Sequence, residues 1–394
     1  MTIAKKIEAT IEKSSWIRKM FEEGARLKAE HGAKNVFDFS LGNPNLRAPA
    51  ELEAALKEVV TSEEGQDHSY MPNPGYPHVR AAVAEMVTRD QQAPVSGDEI
   101  IMTVGAAGAI NSTLKAILDP GDEVVTPAPF FVEYGAYCDN HNGVLKTVPT
   151  RADFTLDLDA IGDAINERTK AVLINSPNNP TGQIYSAESL RALGELLAER
   201  GGKYGRTIYM ISDEPYRKIV YDGAAVPSIF SAYPESIVCT SFSKDISIPG
   251  ERLGYIAVNP AATHKKKLLE GMTLANRILG FVNAPALMQR AVARMGNATV
   301  DVAKYARKRQ LLCDGLAECG YEFVTPPGAF YLFPKCPIPD DVEFVRDLQT
   351  ERILAVPGSG FGGPGHFRLA FCVDDDTIVK AMPGFRRVME KYVS

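Results

Sequence analysis

The stretch IVCTSFSKDISIPGERLGYIAV, residues Ile237–Val258, contains two apolar runs separated by a polar segment. The first run passes through small hydroxyl residues and stops at Lys244, and Arg252 precedes the second run. Short apolar runs bounded by Gly and Pro predict two buried strands. Because burying an unpaired ammonium is costly, a lysine at the end of such a strand calls for a specific reason.

Outward from this stretch, predicted strands alternate with predicted helices. The strands are EIIMTV, DEVVTPAP, KAVLINSP and TIYMISDEPY, and the helices between them include GAAGAINSTLKAIL and SAESLRALGELLAER. This alternation predicts an α/β fold, with a mostly parallel sheet wrapped by helices.

After about residue 285 the pattern changes to long helices and short strands, among them FYLFPK and HFRLAF. We therefore expect a smaller α+β domain built from N-terminal and C-terminal segments. The predicted limits are 1–45 for an N-terminal arm with part of the small domain, 46–285 for the large cofactor-binding domain, and 286–394 for the rest of the small domain.

Charge and cysteine usage exclude several classes of function. The formal net charge is −6 and no Lys/Arg block occurs, which disfavours nucleic-acid binding. The six cysteines form no CxxC pair and no Cys/His cluster with metal-ligand spacing, so we expect reduced thiols, a cytoplasmic location and no metal site. Since no run of about 18 apolar residues occurs, we expect no membrane-spanning segment.

Polar residues follow several predicted strands, and ligands of open parallel sheets bind at the carboxyl ends of strands. These residues are Gly105–Gly108, Asn178, Asn179, Asp213, Tyr216 and Lys244. The small residues stand where a strand meets a helix, and exposed N–H groups at a helix N-terminus attract phosphate. Ser241 and Arg252 would add donors to the same phosphate. Each feature also has an ordinary explanation: a surface lysine, close helix packing, or a capping acid. Together they predict pyridoxal phosphate, whose aldehyde binds lysine and whose ring nitrogen pairs with an acid.

Four motifs then resemble those of one family. NSPNNPTG is similar to its N-x-x-N-P-T-G signature, SDEPY to its D-E-x-Y element, SFSKDISIPGERLGY to its S-x-S-K…G-x-R-x-G-Y element, and FRLAF to its carboxylate-binding motif. From about Phe37 to Phe371 the sequence resembles class I aminotransferases, the aspartate-aminotransferase-like pyridoxal-phosphate enzymes of fold type I.

The resemblance implies roles for the reacting residues. Lys244 would form the aldimine with pyridoxal phosphate and act as acid and base in a ping-pong transfer from an amino acid to a 2-oxo acid. Asp213 would pair with the ring nitrogen, while Asn179 and Tyr216 would bind the phenolic oxygen.

The resemblance also implies binding residues. Phosphate would be held by Ala106, Ala107, Ser241 and Arg252. Phe131 would stack on the ring, although an aromatic residue in such a run also suits a plain core. Arg368 would bind the substrate carboxylate beside Gly42 and Asn179; alternation with Phe367 and Leu369 alone predicts that it faces solvent. Tyr70 would reach the phosphate of a neighbouring subunit, which implies a homodimer with shared sites.

The expected substrate preference follows from two missing cations. One branch of the family binds the side-chain carboxylate of aspartate with an arginine, and another branch binds it with a lysine. This sequence has Ala286 and Ala107 at those two positions. At the entrance of the site we expect Phe130, Phe131 and Leu46 instead. We therefore predict that neutral or aromatic donors are preferred over aspartate, unless Arg277 or Arg47 reaches the site.

Four alternatives remain at this point. They are an aspartate aminotransferase, a carbon–sulfur or β-lyase on the same fold, a non-catalytic cofactor-binding sensor, and a nicotinamide dehydrogenase. A sensor of this kind usually carries a DNA-binding domain in front, and it is disfavoured because only about 35 residues precede the scaffold and they are not basic enough for that role. A dehydrogenase is disfavoured because no G-x-G-x-x-G follows the first strand.

Overall fold

The computed structural model describes residues 2–13, 15–63 and 67–393. Its strands are β1 (Phe37–Asp38), β2 (Ile100–Thr103), β3 (Glu123–Ala128), β4 (Val144–Pro149), β5 (Thr169–Asn175), β6 (Tyr209–Asp213), β7 (Ser236–Ser241), β8 (Gly254–Val258), β9 (Tyr331–Leu332), β10 (Ile353–Leu354), β11 (Val356–Pro357) and β12 (Phe367–Ala370).

The α-helices lie between and around these strands. They are α1 (Lys5–Lys13), α2 (Ser15–His31), α3 (Ala50–Thr61), α4 (Pro77–Gln91), α5 (Gly105–Ile117), α6 (Glu133–Asp139), α7 (Leu158–Ala164), α8 (Ala187–Tyr204), α9 (Ile229–Ala232), α10 (Lys265–Ile278), α11 (Ala286–Arg294), α12 (Val302–Glu318), α13 (Asp341–Thr350) and α14 (Asp375–Val393). In the described residues, no helix is both long and apolar enough to span a membrane.

A seven-stranded sheet forms the centre of the molecule, in the order β2-β8-β7-β6-β5-β3-β4. The pairs among β3, β4, β5, β6 and β7 are parallel, whereas β8 is antiparallel to both β2 and β7. The predicted α/β fold with a mostly parallel sheet is confirmed. The edge strand β4 was not predicted, because its side chains are mostly exposed or half-buried and give no apolar run.

Both faces of this sheet are buried, as expected for strands without strict polar alternation. Val172 and Met210 belong to one hydrophobic cluster, while their chain neighbours Leu173 and Ile211 belong to another. Successive side chains of a strand point to opposite faces, so helices must cover the sheet on both sides. The carboxyl ends of the parallel strands are consequently brought to one edge.

A second, smaller unit combines the two ends of the chain. β1 pairs in parallel with β10, and a separate antiparallel sheet has the order β11-β12-β9. The domain limits stay a prediction. Met288 and Val292 of α11 pack into a cluster of the large sheet, which favours a boundary beyond Arg294 over one at residue 286.

Candidate active site

A cavity of about 420 Å³ lies at the carboxyl ends of β5, β6 and β7, against the smaller unit. Asp213 and Ser241 are the last residues of β6 and β7, and Lys244 follows three residues after β7. The cavity brings together eleven of the residues predicted from the sequence: Gly42, Ala106, Ala107, Phe131, Asn179, Asp213, Tyr216, Ser241, Lys244, Arg252 and Arg368.

Lys244 is half-buried, and its Nζ donates a 2.8 Å hydrogen bond to the carbonyl oxygen of Gly42. Burial lowers the pKa of the Lys244 ammonium to about 8; Cys372 opposes this effect, and the charge of Arg368 reinforces it. A lysine whose pKa is lowered in this way carries more neutral amine near physiological pH than an exposed one. It is therefore suited to nucleophilic and acid–base chemistry.

Asp213 is buried and accepts a 2.6 Å hydrogen bond at Oδ2 from the hydroxyl of Tyr134. Burial raises the pKa of the Asp213 carboxyl to about 7, and the Tyr134 hydrogen bond acts in the opposite direction. The other oxygen, Oδ1, has no hydrogen-bond partner among the described residues. An unpartnered buried acceptor is costly, and a protonated ring nitrogen in the cavity would satisfy it.

Arg368 is buried, so the alternation argument for a solvent-facing side chain is wrong. All four residues of β12 are buried, which means that both faces of this short strand are covered. Nη1 of Arg368 donates to Asn179 Oδ1 at 3.1 Å, and Nη2 donates to the Ser40 carbonyl at 2.6 Å. The guanidinium carbon also lies 4.8 Å and 4.7 Å from the ring centroids of Tyr331 and Phe361.

Tyr216 meets a residue that sequence reasoning missed. Its hydroxyl lies 2.8 Å from the hydroxyl of Tyr331, and both rings are buried. Burial raises the pKa of Tyr216 well above its ordinary value, so its hydroxyl stays a neutral donor. A Cβ added to Gly42 would lie only 2.0 Å from Tyr331 Oη, which explains the glycine at this position.

The start of α5 forms one end of the cavity. Gly105 has φ +69°, and a Cβ there would lie 2.9 Å from Nη2 of Arg252. Ala106 and Ala107 follow in the first turn, which contains no acidic residue. The N–H groups at the start of a 13-residue helix, next to an arginine, favour an anion such as phosphate.

Several expected residues lie outside the cavity. Tyr70 does not line it, and this residue is 88% exposed. Phe130 and Leu46 also do not line it, so their predicted place at the entrance is wrong. Leu46 packs against the core of the smaller unit, and the backbone N–H of Phe130 donates to the Phe361 carbonyl. The apolar lining comes instead from Leu41, Ile110, Phe131, Val132, Val356 and Phe361.

Two arginines that could have reversed the predicted substrate preference also lie outside the cavity. Arg47 and Arg277 are exposed, and neither lines the cavity. Tyr134 and Tyr331 were missed because their partners are 79 and 115 residues away in sequence.

These features fit pyridoxal phosphate. The cavity offers a lysine with a lowered pKa, an unpartnered carboxylate oxygen and an anion-binding helix start. Beyond this geometry, the family model described as aminotransferase class I and II matches residues 34–383. The chain belongs to this family. It is a pyridoxal-phosphate-dependent aminotransferase of the class I, aspartate-aminotransferase-like group.

Relatives of this aminotransferase cover nearly the whole chain. An aspartate/prephenate aminotransferase from Thermus thermophilus is 33% identical over 357 residues, 88% of this chain and 89% of its own. An aspartate aminotransferase from Geobacillus stearothermophilus is 34% identical over 391 residues, 94% of both chains.

Solved structures agree in fold. An amino transferase from Eubacterium rectale superposes with a TM-score of 0.96 at 38% identity, covering 100% of both chains. The Thermus thermophilus aspartate aminotransferase with maleate superposes with a TM-score of 0.86 at 28% identity, covering 98% of this chain and 100% of the other.

Proposed function

We propose that this aminotransferase prefers neutral or aromatic amino donors over aspartate and passes the amino group to a 2-oxo acid by ping-pong kinetics. The observation that carries the proposal is the charge of the cavity lining. Among the described residues, the cationic side chains that line the cavity are Lys244, Arg252 and Arg368. In our assignment each of them already has a task, so a side-chain carboxylate of the donor would have no cation.

The same lining adds an acid and several apolar groups. Glu133, the first residue of α6, lines the cavity, and its charge raises the pKa of Tyr137, where burial is the larger cause. A second substrate carboxylate would therefore approach Glu133 and apolar side chains. Burying an unpaired carboxylate costs several kcal/mol, which favours donors with uncharged side chains.

Aspartate as the preferred donor is the second candidate. It is supported by relatives named aspartate/prephenate aminotransferase and aspartate aminotransferase. Under that alternative, the cation for the side-chain carboxylate would come from another subunit.

We assign Asp213 and Lys244 to the reaction as follows. Pyridoxal phosphate, when bound, supplies an aldehyde for amino groups and a protonated ring that accepts electron density from the substrate α-carbon. Asp213 Oδ1 would hold the proton on the ring nitrogen. The Lys244 amine would be the base that takes the proton from the substrate α-carbon and the acid that gives it back.

Binding residues orient the partners of this reaction. The Arg368 guanidinium would bind the substrate carboxylate. Asn179 accepts from Arg368 through Oδ1, which leaves its amide nitrogen to donate, with the Tyr216 hydroxyl, to the phenolic oxygen of the cofactor. Ala106, Ala107, Ser241 and Arg252 would hold the phosphate, and Phe131 would stack on the ring.

We further propose a cytoplasmic homodimer in which Tyr70 reaches the phosphate site of the neighbouring subunit. The exposed Tyr70 ring supports this assignment, as do Leu274 and Ile278 of α10, which are 56% and 60% exposed. All six cysteines are unpaired and buried, which fits a reducing compartment.

Steady-state kinetics test the substrate proposal. We expect alanine, methionine, phenylalanine or tyrosine to give a higher kcat/KM than aspartate with one common 2-oxo acid. A lead of more than about tenfold for aspartate, roughly 1.4 kcal/mol, contradicts the proposal. Glu133→Gln should raise kcat/KM for aspartate selectively; Glu188→Gln on α8, which does not line the cavity, is the control. Pyruvate and ammonia formed without an acceptor would indicate lyase activity instead.

A further inference from the structure

The segment 67–76, which we call the Tyr70 loop, presents an aromatic ring to solvent. Tyr70 is 88% exposed, whereas Tyr76 at the end of the loop is half-buried and packs against the large sheet cluster. A tyrosine ring held away from its own subunit is typical of a contact with another molecule. Presenting it in one position requires that both ends of the loop be fixed.

Arg290 of α11 fixes both ends. This arginine is 2% exposed, and it is among the largest fully buried side chains of the described residues. Nη1 donates to the Asp67 carbonyl at 2.8 Å, and Nη2 donates to the Tyr76 hydroxyl at 2.6 Å. Nη2 also lies 3.6 Å from Asp67 Oδ2, and the guanidinium carbon lies 4.5 Å from the Tyr76 ring centroid.

The neighbouring residue on α11 holds the middle of the loop. Nε2 of Gln289 contacts Met71 Sδ at 3.0 Å, and Oε1 of Gln289 accepts from the Tyr76 backbone N–H at 3.4 Å. Both side chains therefore connect one rigid helix to the loop beside Tyr70. A planar guanidinium with several donors loses little freedom per hydrogen bond, so it is well suited to this task.

We propose that Arg290 is a positioning residue for the active site of the neighbouring subunit, because it holds the loop that carries Tyr70 to that site. The inference rests on the proposed homodimer with shared sites. Arg290 does not line the cavity of its own subunit, so its effect on the cofactor passes through Tyr70 and across the interface.

Cofactor affinity tests the proposal; it is measured from the visible absorbance that develops as the full-length protein, freed of cofactor, is titrated back to the holoenzyme with pyridoxal phosphate. Arg290→Met and Tyr70→Phe should each weaken affinity about tenfold, and the double variant should be no weaker than either single one. Independent effects would multiply instead. The control is Arg294→Met, one turn further along α11, whose Nε pairs with the exposed Glu58 at 3.2 Å; it should leave affinity unchanged.

A hybrid dimer separates action in trans from damage within one subunit. In a hybrid of Arg290→Met with Lys244→Ala chains, the one site with Lys244 receives its Tyr70 loop from the Lys244→Ala chain. That site should regain wild-type affinity. The proposal is overturned if the affinity for pyridoxal phosphate stays weak in the hybrid, or if the effects of Arg290→Met and Tyr70→Phe multiply in the double variant. If Arg290→Met fails to fold, Tyr76→Phe replaces it as the test, because it removes the hydroxyl that accepts from Arg290 Nη2. Tyr76→Phe should weaken cofactor affinity about threefold, and an unchanged affinity would also overturn the proposal.

The same experiment distinguishes the two proposals. If Tyr70→Phe leaves affinity unchanged, the shared site is wrong and the role of Arg290 falls with it. If Tyr70→Phe weakens affinity and Arg290→Met does not, only the role of Arg290 is wrong.

Discussion

The Tyr134 hydroxyl donates a 2.6 Å hydrogen bond to Oδ2 of Asp213, and Oδ1 of the same carboxylate has no partner in the described part of the chain. One oxygen thus anchors the side chain, and the other is left for a ligand in the cavity that Asp213 lines. Because burial alone would raise the pKa of Asp213 further, this hydrogen bond also helps to keep the acid ionisable near neutral pH.

Asp213→Asn should lower kcat by about a thousandfold or more, which corresponds to roughly 4 kcal/mol. A neutral amide cannot hold the ring nitrogen protonated, so the cofactor accepts electron density less well. Turnover of the purified variant is the measurement, with an unchanged circular dichroism spectrum as the control for folding. Near-normal turnover would show that Asp213 is not the partner of the ring nitrogen.

The same substitution should stabilise the cofactor-free protein at higher pH. Folding raises the pKa of Asp213 from 3.8 to about 7, so the folded state binds this proton more tightly than the unfolded state. The stabilisation of the folded state by this tighter proton binding is fully present below about pH 4 and is lost as pH rises through about 7. In Asp213→Asn, the gain in urea-unfolding free energy over wild type should therefore grow from pH 4 to 7 and then level off.

Asp98→Asn is the control for this pH dependence, because its carboxylate is 90% exposed. For this variant, the difference in unfolding free energy from the wild type should show no comparable rise between pH 4 and 7. A gain for Asp213→Asn that is independent of pH would contradict the assignment of a raised pKa to this carboxyl.

Gly105→Ala should weaken pyridoxal phosphate binding by at least tenfold. The added Cβ would lie 2.9 Å from Nη2 of Arg252, and the backbone φ of +69° is unfavourable for alanine. Titration of the cofactor by visible absorbance provides the measurement. Gly202→Ala in α8 is the matched control, since a Cβ there meets nothing within 4 Å; equal affinities in the two variants would exclude this end of α5 as the phosphate site.

Much of this arrangement could be predicted from the sequence, because the information was local. The apolar runs before Asp213 and Lys244 predicted strands β6 and β7, and the small residues after β2 predicted the start of α5. The Tyr134–Asp213 and Tyr216–Tyr331 contacts could not be predicted, since they depend on how distant segments pack. Alternation alone wrongly predicted a solvent-facing Arg368, because both faces of strand β12 are covered; only the family resemblance pointed this residue to the site.

Arg368→Lys should lower kcat/KM for every amino donor by about a hundredfold, or roughly 2.7 kcal/mol, with little change in cofactor affinity. Lysine keeps the charge but cannot donate to Asn179, Ser40 and a carboxylate in the fixed geometry of a guanidinium. Arg387→Lys, at an exposed pair with Glu351, is the control. A loss confined to one donor would contradict a role in binding the common α-carboxylate.

The most direct test is to identify the lysine that binds the cofactor. The holoenzyme is reduced with borohydride, which makes the bond between lysine and cofactor permanent, and its peptides are then mapped by mass spectrometry. We predict that the added mass lies on Lys244, that Lys244→Ala carries none, and that this variant has no transaminase activity. Label on another lysine, or turnover by Lys244→Ala at a rate close to that of the wild type, would contradict the assignment of this site.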